Sequence, residues 1–435
     1  MFKMGCAKCD VTPEFPVYLR GYATRNKLTD KVEEPLEAGV IALQKNDKRV
    51  LLITADSIGI KQNDCRRIYA ALQEKFNINY PDIIISSSHT HFAPCFHGCT
   101  VAGPGGELPI GALPPDEKYF EFFMQKLIPT VEHALQDLEE VELLQAEIPV
   151  SCVAFNRRTV RKRDGLVDTN YFYPANDSDY NFSDYDKTMH VWKFMRGTHP
   201  KAVLARYGCH PVTGGYDSNA ISADYPGYFK RYIQQELGCP GFFMLGTAGD
   251  VVPMRRNGTS RRDIGLILAS AVKLHDWAFR KAEDFTLKTT CETFEVVTPR
   301  LLDVTADDVE AEYAKLLSEA RQQSKIHSDF FLYSLVRGFY LENQGATAEL
   351  QYQILQLGGK KLVILPFEVF TIVGQKIREA IPNAVVVSCS GGSECYLPLQ
   401  EDFAKGGYET LTGTRLAQDT GDKLLAMVIE KLKTF

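Results

Sequence analysis

The sequence lacks the features that mark secreted, membrane-spanning and nucleic-acid-binding proteins. Its N-terminal segment, Met1–Cys9, has no apolar core of a secretory signal. No stretch approaches the roughly 18 uninterrupted apolar residues that a membrane-spanning helix requires. Basic residues form no block, and 49 Lys and Arg against 55 Asp and Glu give a net charge of −6. We therefore expect a cytoplasmic protein with a small-molecule substrate, no integral membrane segment and no nucleic-acid partner.

Cysteine usage argues against a disulfide framework. The chain has 11 cysteines, an odd number, and they are scattered along its length. This pattern is typical of reduced thiols in a cytosol. The pair Cys6-x-x-Cys9 has the spacing of half a metal knuckle or of a redox pair, but no second pair accompanies it. We interpret these two cysteines as incidental thiols.

The order of apolar patterns along the chain predicts the fold class. No internal repeat, low-complexity linker or run of like charge marks a domain boundary. Strand-like runs alternate with helical patterns, which indicates an α/β protein with mixed sheets and surrounding helices. The predicted strands are 38–44, 50–55, 83–86, 188–196, 202–207, 241–245, 351–357, 361–365 and 384–388. The predicted helices are 117–138, 228–237, 264–279, 369–380 and 415–432, and one that opens at Thr305-x-x-Asp308.

Two stretches show the least regular structure in their sequence. Gly98–Pro115 is rich in Gly and Pro, and Asp164–Asp186 is rich in Asp, Asn and Tyr. Long irregular segments in compact proteins are often lids or binding loops. Solvated surface insertions are the alternative interpretation of both stretches.

Three of the nine histidines stand where chemistry is expected. His89 and His91 follow the predicted strand 83–86, and His210 follows the predicted strand 202–207. Ligands bind at the carboxyl ends of strands in open α/β sheets. Histidines in weaker contexts, to which we assign structural or exposed roles, are His133, His199, His275 and His327.

The spacing of the first two histidines suits a metal site. On an extended chain, residues two apart share a face, so His89 and His91 would point the same way. Such a pair supplies two metal ligands, or one ligand and one proton-transfer group. Delivery of His210 to the same edge by a second strand supports the metal interpretation.

Carboxylates at comparable positions would complete a site. Glu368 follows the apolar run 362–367 and precedes a predicted helix, where an acid also interacts favourably with the helix N-terminus. Asp56 ends a strand, and Asp224 and Asp250 lie in turn-like segments. Each of these aspartates either orients a metal-bound histidine or caps a turn, and the sequence leaves both roles open.

Taken together, these segments resemble the neutral/alkaline non-lysosomal ceramidase family, which consists of zinc-dependent amidases that cleave N-acyl sphingosines. The resemblance implies a single ceramidase-like catalytic domain over residues 1–435, without the β-sandwich that follows in the ceramidases themselves. The stretches that carry it are Ala7–Pro13, Arg20–Tyr22, Ser88–His91, Asn156–Arg157, Cys209–Pro211, Ile221–Gly227, Gly249–Pro253, Leu365–Glu368 and Tyr396–Tyr408.

The resemblance also implies roles for individual residues. His91 would face the substrate and shuttle a proton, whereas Arg157 and Tyr408 would contact the scissile group or its oxyanion. The implied zinc ligands are His89, His210, Glu368 and Tyr396.

One position departs from the family pattern. Family ceramidases carry a serine that activity requires just before the proline of a Gly-Asp-Val-Ser-Pro segment, and this chain has Val252 there. Valine neither attacks a carbonyl nor donates a hydrogen bond, so ceramide as the substrate and a serine-based mechanism both lose support. Asp224, Asp250 and Val252 are predicted to line the substrate or to support the metal ligands.

These observations predict a zinc hydrolase in which metal-activated water attacks an amide or related bond. A small polar or anionic substrate is favoured by four arginines before the Asp164–Asp186 loop, although an exposed basic turn is the alternative. A second hypothesis keeps the family's lipid amidase activity on N-acylated amines. A third is a catalytically inactive zinc- or ligand-binding homologue. The four arginines are Arg157, Arg158, Arg161 and Arg163.

Overall fold

The computed structural model describes residues 2–22, 25, 27–101, 111–113, 115–215, 218–282, 286–298, 347–411 and 413–435, with the single positions 307, 311, 314 and 318. The helices of this part of the chain are α1 (Gln62–Phe76), α2 (Glu117–Gln136), α3 (Asp224–Leu237), α4 (Ser260–Leu274), α5 (Thr371–Ala380), α6 (Gln400–Phe403), α7 (Tyr408–Leu411) and α8 (Thr420–Thr434). Single turns of 3₁₀-helix cover Tyr80–Asp82, Asp177–Asp179 and Asp276–Ala278.

The first of three large sheets is mixed and is covered by α1 and α2. Its strand order is Ile83–Ser87, Lys48–Ala55, Glu37–Lys45, Phe2–Asp10, Glu139–Glu140. Only the first pair in this order is parallel. Leu72 of α1 and Leu127 of α2 are buried against Val40 and Ile53 of the sheet.

The second sheet has the same construction, with α3 and α4 as its cover. Its strand order is Gly241–Leu245, His199–Tyr207, Thr188–Arg196, Glu142–Pro149, Arg280–Lys281. Again only the first pair is parallel. Phe229 of α3 and Leu268 of α4 pack on the sheet residues Val203 and Phe243.

The third sheet contains a tight hairpin and is covered by α5 and α8. Its strand order is Lys288–Val297, Thr347–Leu357, Lys360–Ile364, Ala384–Val387. The last pair is parallel. Gly358 and Gly359 form the hairpin turn at φ values of +59° and +81°, which glycine adopts without steric cost.

Five smaller sheets complete the sheet structure of the described residues. They are Ala154–Asn156 with Val251–Pro253, Arg158–Arg161 between Val167–Thr169 and Tyr180–Asn181, Val17–Tyr18 with Leu28–Thr29, Glu368–Val369 with Tyr396–Leu397, and Cys99–Val101 with Gly111–Leu113.

The three large sheets meet with the carboxyl ends of their parallel strands together. The Ser87 amide donates to the Cys389 carbonyl at 3.1 Å, and the Ser388 amide donates to the Leu245 carbonyl at 2.9 Å. A single apolar core joins the sheets, with Ile84, Leu204 and Leu362 as one member from each. The residues that follow these strands are therefore brought to one place.

The structure confirms the α/β class with mixed sheets and surrounding helices, and it shifts several predicted boundaries. Helix α3 begins at Asp224, before the predicted start, because Pro226 is tolerated in the first turn of a helix. The pattern over 264–279 divides into α4 and a separate 3₁₀ turn. Of the helix predicted to open at Thr305, the structure describes only the single positions 307, 311, 314 and 318, all of them helical, and most of Gly98–Pro115 lies outside the described residues. The Asp164–Asp186 segment is mostly irregular.

Candidate metal centre

Each of the three sheets delivers one side chain to a single point. His89 follows the strand Ile83–Ser87, His210 follows His199–Tyr207, and Glu368 comes shortly after Lys360–Ile364. The ring centroids of His89 and His210 are 4.9 Å apart. The sequence prediction that distant strands bring two imidazoles to one edge therefore agrees with the structure.

The carboxylate of Glu368 lies between the two imidazoles. Its Oε2 is 3.2 Å from His89 Nε2 and 2.9 Å from His210 Nε2. Burial alone would raise the pKa of Glu368, but the two neighbouring imidazoles hold that pKa well below its usual range. The carboxylate is therefore ionised.

Backbone carbonyls fix the tautomer of both imidazoles. His89 Nδ1 contacts the Ile58 carbonyl, and His210 Nδ1 contacts the carbonyls of Ala248 and, at 3.2 Å, Val251. Carbonyl oxygens only accept hydrogen bonds, so each Nδ1 carries the proton. In the neutral ring, Nε2 then presents its lone pair towards Glu368.

The backbone at His89 is held in an unusual conformation. Its φ of +67° lies in the left-handed region, which is rare for residues other than glycine. The His89 amide donates to the Ser57 carbonyl at 2.8 Å, and the His210 amide donates to the Val251 carbonyl at 2.9 Å. Such strain persists where the surroundings hold the backbone firmly, and it is common at functional sites.

His91 is the third imidazole of the cluster, and it is held differently. One ring nitrogen from each of His89, His91 and His210 can be chosen so that all lie within 4.8 Å of one another. Neither ring nitrogen of His91 has a hydrogen-bond partner among the described residues. Burial lowers the pKa of His91 well below its usual value, and the other two histidines add to that shift. Its ring is thus neutral and has no hydrogen bond that selects a tautomer.

Tyr396 and Arg157 lie beside this cluster. Glu368 and Tyr396 are partners in the short parallel strand pair, and the Tyr396 ring is 6.3 Å from that of His210. Arg157 Nη2 donates to the Tyr396 hydroxyl at 3.0 Å, and also to the Gly249 carbonyl at 3.0 Å. Arg157 therefore holds the phenol oxygen of Tyr396 in place.

Glu409 is a buried residue that the sequence interpretation missed. It accepts from Arg157 Nε at 2.7 Å and from Arg158 Nη1 at 3.0 Å, and its side chain is 0% exposed. Arg161 pairs with Asp164 and Asp168, at 3.0 and 2.9 Å. Because carboxylates of the chain already bind these arginines, they give no support to an anionic substrate. The only earlier signal for Glu409 was its position next to Tyr408.

Tyr408 continues a row of aromatic rings outward from the cluster. Its ring is 5.8 Å from that of Tyr396 and 6.1 Å from that of Tyr171. Burial raises the pKa of Tyr408 to about 12, so its hydroxyl keeps its proton. A protonated phenol at this position is a hydrogen-bond donor.

The aspartates support the loops around the cluster, and within the described part of the chain they contact no imidazole. Asp224 accepts from the Thr213 amide and hydroxyl, at 3.0 and 2.8 Å. Asp250 accepts from the Thr371 amide at 2.9 Å and from Asn156 Nδ2 at 2.7 Å. Asp56 instead binds Lys230. These contacts favour support of turns and loops, rather than orientation of a metal-bound histidine, as the role of the three aspartates.

Val252 lies in a small apolar cluster of its own. Its side chain is 0% exposed and packs with Phe155, Val212 and Met254. It is paired with Phe155 in the two-stranded sheet. The position that carries serine in the family ceramidases is therefore occupied here by a packing residue.

A second residue that the sequence interpretation missed is Cys389. Its Sγ is 3.5 Å from His89 Nδ1. The signal available in the sequence was its place directly after the predicted strand 384–388, comparable with the places of His89 and His210. A polar side chain at this strand end adds to the support of His89.

The donor groups of this cluster fit a divalent cation. Burial alone would lower the pKa of His89, but the thiol of Cys389 and the carboxylate of Glu368 raise that pKa, so a positive charge is favoured between these groups. With both rings neutral, two imidazole lone pairs and one carboxylate oxygen would face one another, an arrangement that repels unless a cation or a proton lies among them. Imidazole nitrogen and carboxylate oxygen are common ligands of zinc and of related metals. Backbone carbonyls already orient the outer nitrogen of two rings, as is usual for metal-binding histidines.

Comparison with known proteins identifies the family of the chain. The family model described as "Neutral/alkaline non-lysosomal ceramidase, N-terminal" matches residues 2–240, which is more than half of the chain. The chain belongs to the neutral/alkaline non-lysosomal ceramidase family. The resemblance inferred from the sequence is thereby confirmed. Membership of this family supports the prediction that the chain is a hydrolase.

Solved ceramidase structures share the fold. The neutral ceramidase from Pseudomonas aeruginosa superimposes with a TM-score of 0.71 at 16% identity, over 98% of this chain and 73% of the other. A ceramidase complexed with C2 gives a TM-score of 0.70 at 15% identity, over 100% of this chain and 75% of the other. At these identities the likeness shows the ceramidase fold.

The helices were also compared with the requirements of a lipid bilayer. None of them, in the part of the chain that the structure describes, is long and apolar enough to cross a membrane. This agrees with the sequence, in which no sufficiently long apolar run occurs.

Proposed function

We propose that this chain is a zinc-dependent hydrolase that cleaves an N-acyl amide bond. The observation that carries the proposal is the convergence of His89 Nε2, His210 Nε2 and Glu368 Oε2, with both outer histidine nitrogens bound to carbonyls. Family membership supports hydrolysis as the type of reaction.

The proposed ligands are His89, His210, Glu368 and Tyr396. Tyr396 is included because it is the strand partner of Glu368 and because Arg157 holds its oxygen. His91 is excluded because no carbonyl or carboxylate of the described residues orients its ring, in contrast to the other two histidines. A zinc ion held there would polarise the acyl oxygen and lower the pKa of water.

The remaining side chains have roles that follow from their positions. Water adds to the acyl carbon, and the bond from that carbon to the leaving nitrogen breaks. His91, neutral and without a hydrogen bond in the described structure, takes a proton from the water and gives it to the departing amine. The protonated hydroxyl of Tyr408 donates to the acyl oxygen as negative charge develops, an interaction typically worth about 3 kcal/mol.

The surface near the centre favours an apolar group in the substrate. The Asp164–Asp186 loop exposes aromatic side chains, of which Tyr171 packs against Tyr408, whereas Arg158 and Arg161 before the loop bind acids of the chain. This supports the lipid amidase hypothesis over a small anionic substrate. The exposed aromatic residues of the loop are Tyr171, Phe172, Tyr173 and Phe182.

Metal content and hydrolysis together test the proposal. Zinc is measured by mass spectrometry after gel filtration, for the wild type, Glu368→Gln and the matched control His199→Ala, whose side chain is exposed. The same proteins are assayed with a fluorescent short-chain ceramide and with N-acetyl and N-hexanoyl amides. We expect one zinc per wild-type and control chain, little in Glu368→Gln, and hydrolysis only where zinc is bound.

Two outcomes contradict the proposal in different ways. If zinc-loaded wild type retains no stoichiometric metal, or if Glu368→Gln retains as much as wild type, the ligand assignment is wrong. If zinc binds as expected but no ceramide or amide is hydrolysed, the chain is a metal-binding homologue without this activity.

A further inference from the structure

Arg256 binds three separate segments that surround the metal centre. Its Nε donates to the Val212 carbonyl at 2.6 Å, its Nη1 to the Tyr171 carbonyl at 2.8 Å, and its Nη2 to the Tyr22 hydroxyl at 2.7 Å. The guanidinium group is planar, and its donors have a fixed geometry. These three bonds therefore fix the positions of their acceptors relative to one another, and we call this arrangement the Arg256 clamp.

Each clamped segment contacts a residue of the proposed site. The Val212 amide donates to the His210 carbonyl at 3.0 Å. The Tyr22 ring packs edge-on against the His91 ring at 5.1 Å, and the Tyr171 ring packs against that of Tyr408 at 6.1 Å. The clamp thus connects the surroundings of a proposed ligand, of the proposed proton carrier and of the proposed acyl-oxygen donor.

Tyr22 and Tyr171 lie on the accessible side of the centre. In the described structure His89 and His210 are buried, whereas the Glu368 side chain is 16% exposed and His91 is half-buried. Solvent therefore reaches the centre past His91 and Glu368. Tyr22 covers one side of His91, and the 42% exposed Tyr171 continues the row of rings that begins at Tyr396.

We propose that Arg256 is a positioning residue that holds Tyr22 and Tyr171 as two walls of the approach to the metal centre. The separation of these walls limits the size of the acyl group next to the scissile bond. This second statement rests on the proposed function, whereas the clamp itself does not.

The experiment compares Arg256→Ala and Arg256→Lys with wild type and with the control Arg255→Ala, an exposed neighbour. Hydrolysis of N-acyl aminomethylcoumarins from acetyl to octanoyl is measured on the zinc-loaded full chain. In Arg256→Ala we expect the preference between acetyl and octanoyl, as a ratio of kcat/KM values, to change by about 10-fold with unaltered zinc content. Lysine replaces only part of the donor set, so Arg256→Lys should recover part of the preference.

Hydrogen exchange by mass spectrometry tests the clamp without catalysis. Peptides containing Tyr22 and Tyr171 should both exchange faster in Arg256→Ala and remain unchanged in Arg255→Ala. Unchanged exchange at either peptide would overturn the clamp. A uniform loss of activity for all acyl lengths would overturn the selectivity and leave only a structural role. If wild type hydrolyses no amide, the proposed function is wrong. The exchange result still shows whether Arg256 holds the segments of Tyr22 and Tyr171 in place.

Discussion

Glu368 and Tyr396 are direct partners in a parallel pair of two-residue strands. The Glu368 amide donates to the Cys395 carbonyl at 2.9 Å, so backbone hydrogen bonds set this pairing. Side chains of paired residues lie on the same face of a sheet. The carboxylate and the phenol are therefore placed side by side by the main chain, before any side-chain contact is considered.

Gly21 is the residue whose replacement should disturb His91 most directly. A Cβ atom at Gly21 would lie 2.5 Å from His91 Cγ, and the φ of Gly21 is +112°. Gly21→Ala should displace the His91 ring and lower amide hydrolysis at least about 10-fold, because a proton-transfer group typically contributes about 10²- to 10⁴-fold and this ring is displaced rather than removed. Zinc content should be unchanged, because His91 is not a proposed ligand.

Gly165→Ala provides the matched control for this variant. Gly165 also has positive φ, +75°, but no atom lies within 4 Å of the added Cβ. Backbone strain alone should then cost about 1 kcal/mol of unfolding free energy without affecting hydrolysis. Equal activity losses in the two alanine variants would show that contact with His91 is not the cause.

Removal of the charge on Glu409 should destabilise the fold strongly. Glu409→Gln leaves the buried guanidinium groups of Arg157 and Arg158 without their counter-charge. Breaking a buried ion pair by removing one partner costs about 3–5 kcal/mol. Urea unfolding measures this change, with the exposed Glu401→Gln as a control expected within about 0.5 kcal/mol of wild type. A small effect at Glu409 would mean that solvent reaches these arginines.

Introduction of serine at position 252 should not create an active-site nucleophile. Val252 is buried with Phe155 and Val212, so Val252→Ser loses packing and buries a hydroxyl. We expect Val252→Ser to lower the free energy of unfolding by about 3 kcal/mol. Val252→Ala, which loses packing only, should lower it by about 2 kcal/mol. Denaturant unfolding measures both variants. Faster amide hydrolysis by Val252→Ser would contradict the prediction, because it would place this side chain at the substrate.

His190 should make the fold less stable in mild acid. Burial, together with the charge of Arg206, lowers its pKa to about 3. Between pH 6.5 and pH 3 the unfolded chain binds a proton that the folded protein does not, so stability falls as the pH falls. Between pH 7.5 and pH 5.5 this proton uptake by the unfolded chain lowers the free energy of unfolding by about 1.4 kcal/mol.

The variant His190→Gln cannot take up this proton. Its unfolding free energy should therefore fall by about 1.4 kcal/mol less than that of wild type between the same two pH values. Urea unfolding at both pH values measures the difference, and the exposed His199→Ala should show the pH dependence of wild type. An unchanged pH dependence in His190→Gln would mean that the folded protein binds the proton as readily as the unfolded chain.

Much of the site was visible in the sequence because its residues follow apolar strands. His89, His210 and Glu368 each come shortly after a buried run, and the strands themselves were identified to within a few residues. The sequence did not separate Glu368 from Asp56, since both follow an apolar strand. In the structure Asp56 binds Lys230, whereas Glu368 lies between two imidazoles.

Local patterns in the sequence therefore determined the α/β class, the strands that lead to His89, His210 and Glu368, and the short list of residues able to take part in chemistry. They did not predict the long strands Phe2–Asp10, Glu142–Pro149 and Lys288–Val297. Only the tertiary structure decided which of them meet, that Glu409 neutralises Arg157, that Val252 is a packing residue, and that Arg256 connects Tyr22 to Tyr171. The reason is physical. Periodicity records how a segment buries its own apolar face, whereas these contacts join segments far apart in the chain, and they form only when three separately covered sheets pack together.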